Sequence, residues 1–285
     1  MIKKNKLMEY LLEDIGGGDI STELIFEKGL ASSGVFLAKE DGIIAGLEIP
    51  QLIYEILGND ANFTTSFRDG DEVRKGDIIG YATGEVRTML TGERVILNLM
   101  QRMSGIATQT SKAIQLLNDS KIRICDTRKT MPGLRLFDKQ AVKIGGGYNH
   151  RMGLYDGVML KDNHIAYCGN ITNAVKKVKE SLGHMIKIEV EIESQAQVEE
   201  AVTSGVDIIM FDNRSPEEIR NWIHLIPPTI ITEISGGITL ENISHYRGTG
   251  VNYISLGAVT HSAVALDISF NSSEGVKKVF SFEND

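Results

Sequence analysis

The sequence predicts an α/β protein in which a small α+β region precedes an open, incomplete α/β barrel. Three observations lead to this fold class. Candidate strands and helices alternate six times after residue 121, which is typical of parallel βα units. Each candidate strand ends on a polar or glycine cluster, as expected where strand ends converge on one face of a barrel. Six units are fewer than the eight of a closed barrel, so we expect an open one.

The first 85 residues predict short, mixed elements. Apolar residues from Leu7 to Ile15 recur at helical spacing and stop at three consecutive glycines, which indicates a helix and its end. Residues 34–40 and 43–45 are strand-like, and Pro50 begins a short helix. This composition is typical of a small α+β region.

A long helix is predicted next, over residues 86–117, with its apolar stripe interrupted at Ser104 and Gly105. The alternating barrel pattern follows it. Its candidate strands are 122–126, 157–161, 186–192, 207–212, 229–235 and 253–257, and its candidate helices are 134–144, 171–182, 195–204, 216–225 and 240–246. A doubly wound sheet is the alternative, but its strand ends would spread along a line rather than converge. Residues 265–271 alternate like a strand that can return to the first domain.

Composition and charge exclude several classes of protein. The chain has 285 residues, of which 42% are hydrophobic and 24% are charged, too apolar for a disordered protein. Its net charge of −8 makes it a poor binder of nucleic acid or of anionic membranes. No apolar run approaches the roughly 20 residues of a membrane-spanning helix.

The cysteines and the first residues indicate a cytoplasmic location. Cys125 and Cys168 do not form a CxxC pair, which predicts neither a disulfide framework nor a zinc site and fits a reducing cytosol. The first six residues contain three lysines, but no apolar segment follows them, so no secretory signal is predicted.

Positive charge is concentrated in one window of this acidic chain. Residues 121–161 contain nine Lys or Arg residues and only three acidic ones. Such a window is either a solvated basic face or a pocket for a small polyanion. Because Arg128, Lys129, Arg151 and Lys161 fall at or just beyond strand ends, we favour a pocket in which arginine binds carboxylates and lysine binds phosphates. His150 fits a structural histidine or a carboxylate donor equally well.

Acidic side chains are predicted inside the barrel. Because strand side chains alternate, Glu189 and Glu191 face the interior, and Asp212 ends the next strand at the same rim. Glu189 fits equally a functional role or an internal salt bridge with Lys129 or Lys161. Glu191 and Asp212 lie nearest the strand ends, and two carboxylates with open positions suit Mg²⁺, which also takes phosphate oxygens as ligands.

Glycines after two late strands predict a phosphate site. Ser235, Gly236 and Gly237 precede a candidate helix, and Gly257 and Ala258 follow the next strand. Glycine lets backbone N–H groups approach a phosphate, and in βα barrels phosphate often binds after the last strands. The same glycines also fit simple turn chemistry.

These residues stand in motifs that resemble the quinolinate phosphoribosyltransferase family over nearly the whole chain. The matching motifs are residues 18–22, 93–94, 97–98, 104–108, 126–135, 145–151, 160–165, 189–191, 212–213, 235–239 and 257–262. Met131 stands where the family usually has Thr. The resemblance implies a type II phosphoribosyltransferase with an N-terminal α/β sandwich domain, residues 1–105 joined by the tail 265–285, and an open α/β barrel, residues 106–264.

The resemblance also implies an enzyme of NAD biosynthesis, a nicotinate-nucleotide diphosphorylase (carboxylating). The reaction would convert quinolinate and 5-phosphoribosyl-1-diphosphate into nicotinate mononucleotide, diphosphate and CO₂. Catalytic roles would fall to Lys129, Lys161, Glu191 and Asp212, with Mg²⁺ or ribose hydroxyls at the two acids. Substrate would bind at Arg94, Thr127, Arg128, Lys129, His150, Arg151, Lys161, Glu191, Asp212, Ser235, Gly236, Gly237, Gly257 and Ala258. A homodimer would donate Arg94 across its interface, with neither nucleic acid nor membrane as a partner.

Three alternatives stay open at this stage. The nearest is a sister protein of the same fold that takes nicotinate, or a homologue linked to molybdate transport. The others are a different barrel enzyme acting on a sugar phosphate, and a non-catalytic sensor of a phosphorylated metabolite. Four cations, Arg94, Arg128, Arg151 and Lys161, favour a substrate with two carboxylates.

Overall fold

The computed structural model describes residues 2–273, which divide into two compact units. The first contains residues 2–108, Leu136–Gly145 and 263–273, and the second contains Gln109–Arg135 and Gly146–Ser262. The unit boundaries differ from the sequence-based domains mainly at Leu136–Gly145, which the sequence places within the barrel domain. Of the tail expected to join the first domain, residues 274–285 lie outside the described part.

The first unit is built around an antiparallel sheet. Its helices and strands are α1 (Ile2–Ile15), α2 (Ile20–Ile25), β1 (Ala31–Ala38), β2 (Gly42–Ile43), α3 (Ile49–Ile56), β3 (Ala61–Thr64), β4 (Glu72–Val73), β5 (Ile78–Glu85) and β12 (Ile268–Ser272), with the first part of α4 (Val86–Leu117) and most of α5 (Arg135–Ile144). The sheet order is β12-β1-β5-β3, and β2 pairs with β4. The tail strand thus returns to the first unit, with Phe270 opposite Phe36.

Aromatic packing forms part of the core of this sheet. Phe36 is fully buried, with its ring centroid 5.5 Å from that of Phe63 and 4.7 Å from that of Phe270. Three strands therefore share one apolar cluster, which gives the late strand β12 a hydrophobic reason to pair with β1.

Helix α4 runs unbroken through the predicted interruption at Ser104 and Gly105. A Cβ at position 105 would lie 1.9 Å from the carbonyl oxygen of Val264. The glycine therefore permits a close approach of the backbone at residue 264 to the helix and does not end the helix. The hydroxyl of Ser104 accepts the N–H of Ala45 at 2.9 Å, so this polar residue is satisfied inside the unit.

The second unit is a parallel sheet with helical connections. Its elements are β6 (Arg123–Cys125), β7 (Val158–Leu160), α6 (Asp162–Cys168), α7 (Ile171–Ser181), β8 (Ile188–Ile192), α8 (Gln195–Ser204), β9 (Ile208–Asp212), α9 (Pro216–Trp222), β10 (Ile231–Ser235), β11 (Tyr253–Ser255) and α10 (Ala258–His261). The six strands pair in the order β6-β11-β10-β9-β8-β7. In residues 2–273 this sheet does not close, which confirms the expected open α/β architecture.

Two connections differ from the prediction. Helix α6 is absent from the predicted elements, because none of its residues is buried and it therefore carries no apolar stripe. The predicted helix 240–246 is only a 3₁₀ turn over Ile243–Tyr246. Its two buried residues are the first and last of the turn, three apart, which is the spacing of a 3₁₀ helix.

Candidate active site

The carboxyl ends of the parallel strands border a cavity of about 830 Å³ that lies wholly in the second unit. The convergence expected for a barrel therefore occurs. Eleven of the fourteen residues predicted to bind substrate line this cavity: Thr127, Arg128, Lys129, His150, Arg151, Lys161, Glu191, Asp212, Ser235, Gly236 and Gly237.

Three predicted residues do not line the cavity. A Cβ at Gly257 would lie 3.1 Å from Cδ of Lys129, so this glycine borders a cavity residue without lining the cavity itself. Ala258 begins helix α10 directly after it. Arg94 lies on helix α4 in the first unit, with an exposed side chain, and its donation to a partner subunit stays a prediction.

Other cavity residues were missed. Met159 lies two positions before Lys161, which directly follows β7, and Met210 lies two positions before Asp212 on β9, so strand alternation could have found them. Asn213 follows a strand end and has φ +52°, a conformation that asparagine adopts more readily than most residues. The remaining missed residues are Asp162, Ile165, Ala166, Glu193, Gln197 and Ser255.

Two arginines face the cavity and repel each other. The Nε of Arg128 is buried and has no hydrogen-bond partner among the described residues. Arg151 donates from Nη1 to the carbonyl oxygen of Gly157 at 2.8 Å. Burial lowers the pKa of Arg151, and the charge of Arg128 lowers it further. An anion bound between the two guanidinium groups would relieve both the repulsion and the unmet donor.

The acidic side of the cavity contains an ion pair. Lys161 Nζ bonds to Glu191 Oε1, rather than to Glu189, which the sequence had offered as its alternative salt-bridge partner. Burial raises the pKa of Glu191, although Lys161 opposes the rise. Because β8 and β9 pair with Glu191 opposite Met210, Asp212 lies one alternate position further along the same face.

Carboxylate oxygens in this cavity fit a hard divalent cation. Asp212 Oδ2 accepts from the side-chain amide of Asn213 at 2.9 Å, which leaves its other oxygen outside that bond. Glu191 and Asp212 are the two acids that the sequence singled out, and they lie on neighbouring strands. Two carboxylates of this kind are the usual protein share of a Mg²⁺ site that also takes phosphate and water.

The glycine loop after β10 is shaped by its contact with the previous strand end. Gly236 has φ +88° and Gly237 has φ +65°, which favour glycine. A Cβ at position 236 would lie 2.3 Å from Oδ1 of Asn213, whereas one at 237 would be 3.8 Å away. Because no α-helix follows this loop, its backbone donors come from the loop itself, and the helix N-terminus expected from the sequence is absent here.

Two further histidines and one cysteine near the strand ends have structural partners or surroundings. His164 Nδ1 accepts the backbone N–H of Lys161 at 3.0 Å, and His261 Nδ1 lies 2.6 Å from the hydroxyl of Ser262. Cys125 is buried, and burial raises the pKa of its thiol well above the ordinary value. This thiol is therefore a poor nucleophile.

Two family models match the chain. One, described as the quinolinate phosphoribosyl transferase N-terminal domain, covers residues 19–104, and the other, described as the C-terminal domain, covers residues 106–271. Together they account for most of the sequence.

Curated relatives and solved structures agree with the family models. A probable nicotinate-nucleotide pyrophosphorylase (carboxylating) of Bacillus subtilis is 50% identical over 278 residues, which cover 96% of each chain. Quinolinate phosphoribosyltransferase (decarboxylating) 1b of Nicotiana tabacum is 41% identical, over 91% of this chain and 79% of the relative. The crystal structure of NadC from Streptococcus pyogenes has a TM-score of 0.90 at 43% identity, over 94% of this chain and 95% of that chain.

Proposed function

Since the chain belongs to the quinolinate phosphoribosyltransferase family, we propose that it catalyses the decarboxylating reaction of NAD biosynthesis. Quinolinate and 5-phosphoribosyl-1-diphosphate react to nicotinate mononucleotide, diphosphate and CO₂. The relatives carry names of this activity, and the cavity has the charges that its two anionic substrates need.

The observation that carries the proposal is the buried, unpartnered Nε of Arg128 beside Arg151 in a cavity that also holds the glycine loop. A dicarboxylate gives each guanidinium group a partner of matching geometry. A pyridine with a single carboxylate would bring only one negative charge to the two guanidinium groups. Nicotinate, the substrate of the nearest alternative protein, therefore fits this pocket less well than quinolinate.

The reaction separates charge, and the side chains in the cavity match that separation. When the C1–diphosphate bond breaks, positive charge develops on the ribose and negative charge on the leaving group. Lys129 and Lys161, which both line the cavity, would stabilise the negative charge, and such groups act most strongly where water is excluded. The pyridine nitrogen attacks C1 as the bond to diphosphate breaks. The resulting ring cation stabilises the electron pair left on the ring carbon when the neighbouring carboxylate leaves as CO₂, and a proton from solvent then takes the place of the carboxylate. No covalent nucleophile is needed.

Magnesium is part of the proposal. Glu191 and Asp212 would hold Mg²⁺, which when bound neutralises diphosphate charge and orients the activated ribose. The two carboxylates would hold the ion from neighbouring strands, and Lys161 forms an ion pair with Glu191 at the edge of the cavity.

A direct assay tests the function. The chain is incubated with magnesium, 5-phosphoribosyl-1-diphosphate and quinolinate labelled in the carboxylate next to the ring nitrogen, and labelled CO₂ and the mononucleotide are measured. We expect equal amounts of both, with little turnover of nicotinate and loss of turnover in EDTA. Turnover of nicotinate in preference to quinolinate would assign the chain to the sister activity. Binding of both substrates without turnover would support the metabolite-sensor alternative.

Replacing Gly236 by alanine should weaken binding of 5-phosphoribosyl-1-diphosphate. The added Cβ would lie 2.3 Å from Asn213 Oδ1, so the loop would shift away from its phosphate-binding position. We expect KM for this substrate to rise about tenfold or more, a cost of roughly 1–3 kcal/mol for strain of this kind. The affinity for quinolinate, measured by calorimetry, should stay within about twofold.

Gly237→Ala is the matched control. It also places alanine at a positive φ, but its Cβ would lie 3.8 Å from Asn213. A KM that rises as much in Gly237→Ala as in Gly236→Ala would contradict the assigned role of the Asn213 contact.

The working unit is proposed to be a homodimer in which Arg94 enters the site of the neighbouring subunit. Arg94→Ala and Lys161→Ala chains, each inactive alone, should then regain activity when unfolded, mixed and refolded together. Random pairing makes about half of the dimers mixed, and each mixed dimer has one intact site of two, so about a quarter of wild-type activity is expected. Absence of recovery, with mixed dimers verified by mass spectrometry, would contradict a shared site.

Location and other partners stay predictions. Among residues 2–273, no helix combines the length and apolar character that crossing a bilayer requires. The cytoplasm is the proposed compartment, on the cysteine usage alone, and the acidic net charge argues against nucleic acid as a partner.

A further inference from the structure

His150 and Arg151 lie in a segment that has little support from strand pairing. Tyr148 forms a single parallel bridge with Cys125 beside the edge strand β6, and pairing resumes only at Val158, in the opposite edge strand β7. The position of the residues between these points therefore depends on side-chain contacts.

Asp126 supplies one of these contacts. Its carboxylate, which is fully buried, accepts the backbone N–H of His150 at 2.8 Å and the side-chain amide of Asn149 at 2.6 Å. These bonds fix the backbone before Arg151. They leave the His150 ring to be oriented by other groups.

The ring of His150 is held at both nitrogens. Nδ1 accepts the backbone N–H of Arg151 at 2.8 Å, so the ring hydrogen lies on Nε2. Nε2 is 3.1 Å from Oε2 of Glu189 and 3.6 Å from Oε1 of Glu233. The first distance lies within hydrogen-bonding range, and the second is too long for a hydrogen bond. Glu233 Oε1 instead accepts the hydroxyl of Ser255.

A bound metal ion would be another explanation for this cluster, because one donor atom from each of His150, Glu189 and Glu233 lies within 4.8 Å of the others. A ligating histidine nitrogen must be unprotonated, and its second nitrogen then usually donates to a carbonyl or carboxylate. Here Nδ1 accepts, so Nε2 carries the hydrogen. The geometry favours a hydrogen bond to Glu189 over a metal.

We infer that Glu189 is a positioning residue for the quinolinate site: it fixes the His150 ring, and the ring fixes the peptide of Arg151. The carboxylate is suited to this role because it is 4% exposed. Its Oε1 has no hydrogen-bond partner among the described residues, so the contact with His150 is made by Oε2. Through these contacts Glu189, which has no assigned contact with the substrate, would orient Arg151, which binds the substrate. The inference rests on the function proposed above.

Two substitutions separate the hydrogen bond from mere packing. Glu189→Leu keeps much of the volume but removes the carboxylate that lies against Nε2 of His150. We expect quinolinate affinity to fall about tenfold, which is within the range for the loss of a buried polar partner. Glu189→Gln retains an acceptor oxygen and should restore affinity to within about threefold of wild type. Binding of 5-phosphoribosyl-1-diphosphate should change less than quinolinate binding in both variants.

Thr232→Val is the matched control. Thr232 is a buried polar residue beside Glu233 on β10, but its hydroxyl bonds to Asn252 and not to the His150 cluster. The Thr232→Val substitution should lower the melting temperature and leave quinolinate affinity unchanged. A loss of affinity equal to that of Glu189→Leu would show that general weakening of the barrel is the cause, and would overturn the assignment.

The ring itself gives a readout independent of activity. The protein is labelled with ¹⁵N at histidine, and the His150 signals are assigned by their loss in the His150→Gln variant. Long-range ¹H–¹⁵N correlation spectra then identify which ring nitrogen carries the hydrogen. We expect hydrogen on Nε2 in wild type and Glu189→Gln, and a changed ring spectrum in Glu189→Leu. Hydrogen on Nδ1, or stoichiometric zinc in the protein purified with added zinc, would overturn the inference. If wild type fails to turn over quinolinate, the proposed function fails, while this spectrum still decides the role of Glu189.

Discussion

Replacing Arg151 by alanine should lower the affinity for quinolinate about a hundredfold, which corresponds to about 3 kcal/mol. The guanidinium group is partly buried, lines the cavity and faces the charge of Arg128. A carboxylate of quinolinate would therefore meet a donor whose hydration is already partly removed. Titration calorimetry with quinolinate measures the effect directly, and binding of 5-phosphoribosyl-1-diphosphate to the same variant should persist.

The bond from Arg151 to the carbonyl of Gly157 raises a competing explanation, because its loss alone could disorder the segment. Arg220→Ala is the control for that effect. Arg220 also donates to backbone carbonyls, those of His245 and Arg247, but does not line the cavity. Its removal should cost stability and leave quinolinate binding unchanged. Unaltered quinolinate binding in Arg151→Ala would contradict the pocket assignment.

Much of the barrel could be predicted because its strands obey simple rules. Side-chain alternation placed Glu191 on the interior, and the ends of consecutive strands brought it to the same rim as Asp212. These are properties of a single strand and of parallel topology. They require no knowledge of which residues pair.

The partners inside the barrel depend on strand register, which the sequence does not contain. Glu189 and Glu191 face the same side, so alternation alone could not assign one of them to Lys161. In the structure Met159 lies opposite Glu189, and the next interior positions of the two strands are Lys161 and Glu191. In this register Lys161 forms its ion pair with Glu191, and Glu189 lies against His150 instead.

Short polar connections between strands were also difficult to predict from the sequence. Helix α6 has no buried residue, so its formation leaves no hydrophobic periodicity for a sequence pattern to detect. Yet Asp162, Ile165 and Ala166 of this helix line the cavity. Cavity walls built from exposed connections are therefore harder to predict than rim residues that follow strands.

Replacing Lys161 by alanine should lower kcat about a hundredfold to a thousandfold, as does removal of a preorganised charge that acts on the transition state. Stability should fall by no more than about 1–2 kcal/mol, because the lysine side chain is 41% exposed, although the Glu191 carboxylate that loses its partner is more buried. The two quantities are measured by single-turnover kinetics and by thermal unfolding. Lys176→Ala, at an exposed position of α7 that does not line the cavity, should change neither.

Loss of Lys161 also leaves the half-buried carboxylate of Glu191 without its ion-pair partner, and this stranded charge is an indirect route to a low kcat. The double variant Lys161→Ala/Glu191→Gln separates the two routes. Because Glu191 is also the proposed Mg²⁺ ligand, the reference for the double variant is Glu191→Gln alone. If Lys161 acts directly on the leaving diphosphate, the double variant should be much slower than Glu191→Gln, because the charge that stabilises the transition state is still missing. If the two variants were equally slow, the lysine would serve only to compensate the acid. An equal loss of stability and activity in the single variant would likewise contradict a catalytic role, since a merely structural pair affects both through folding.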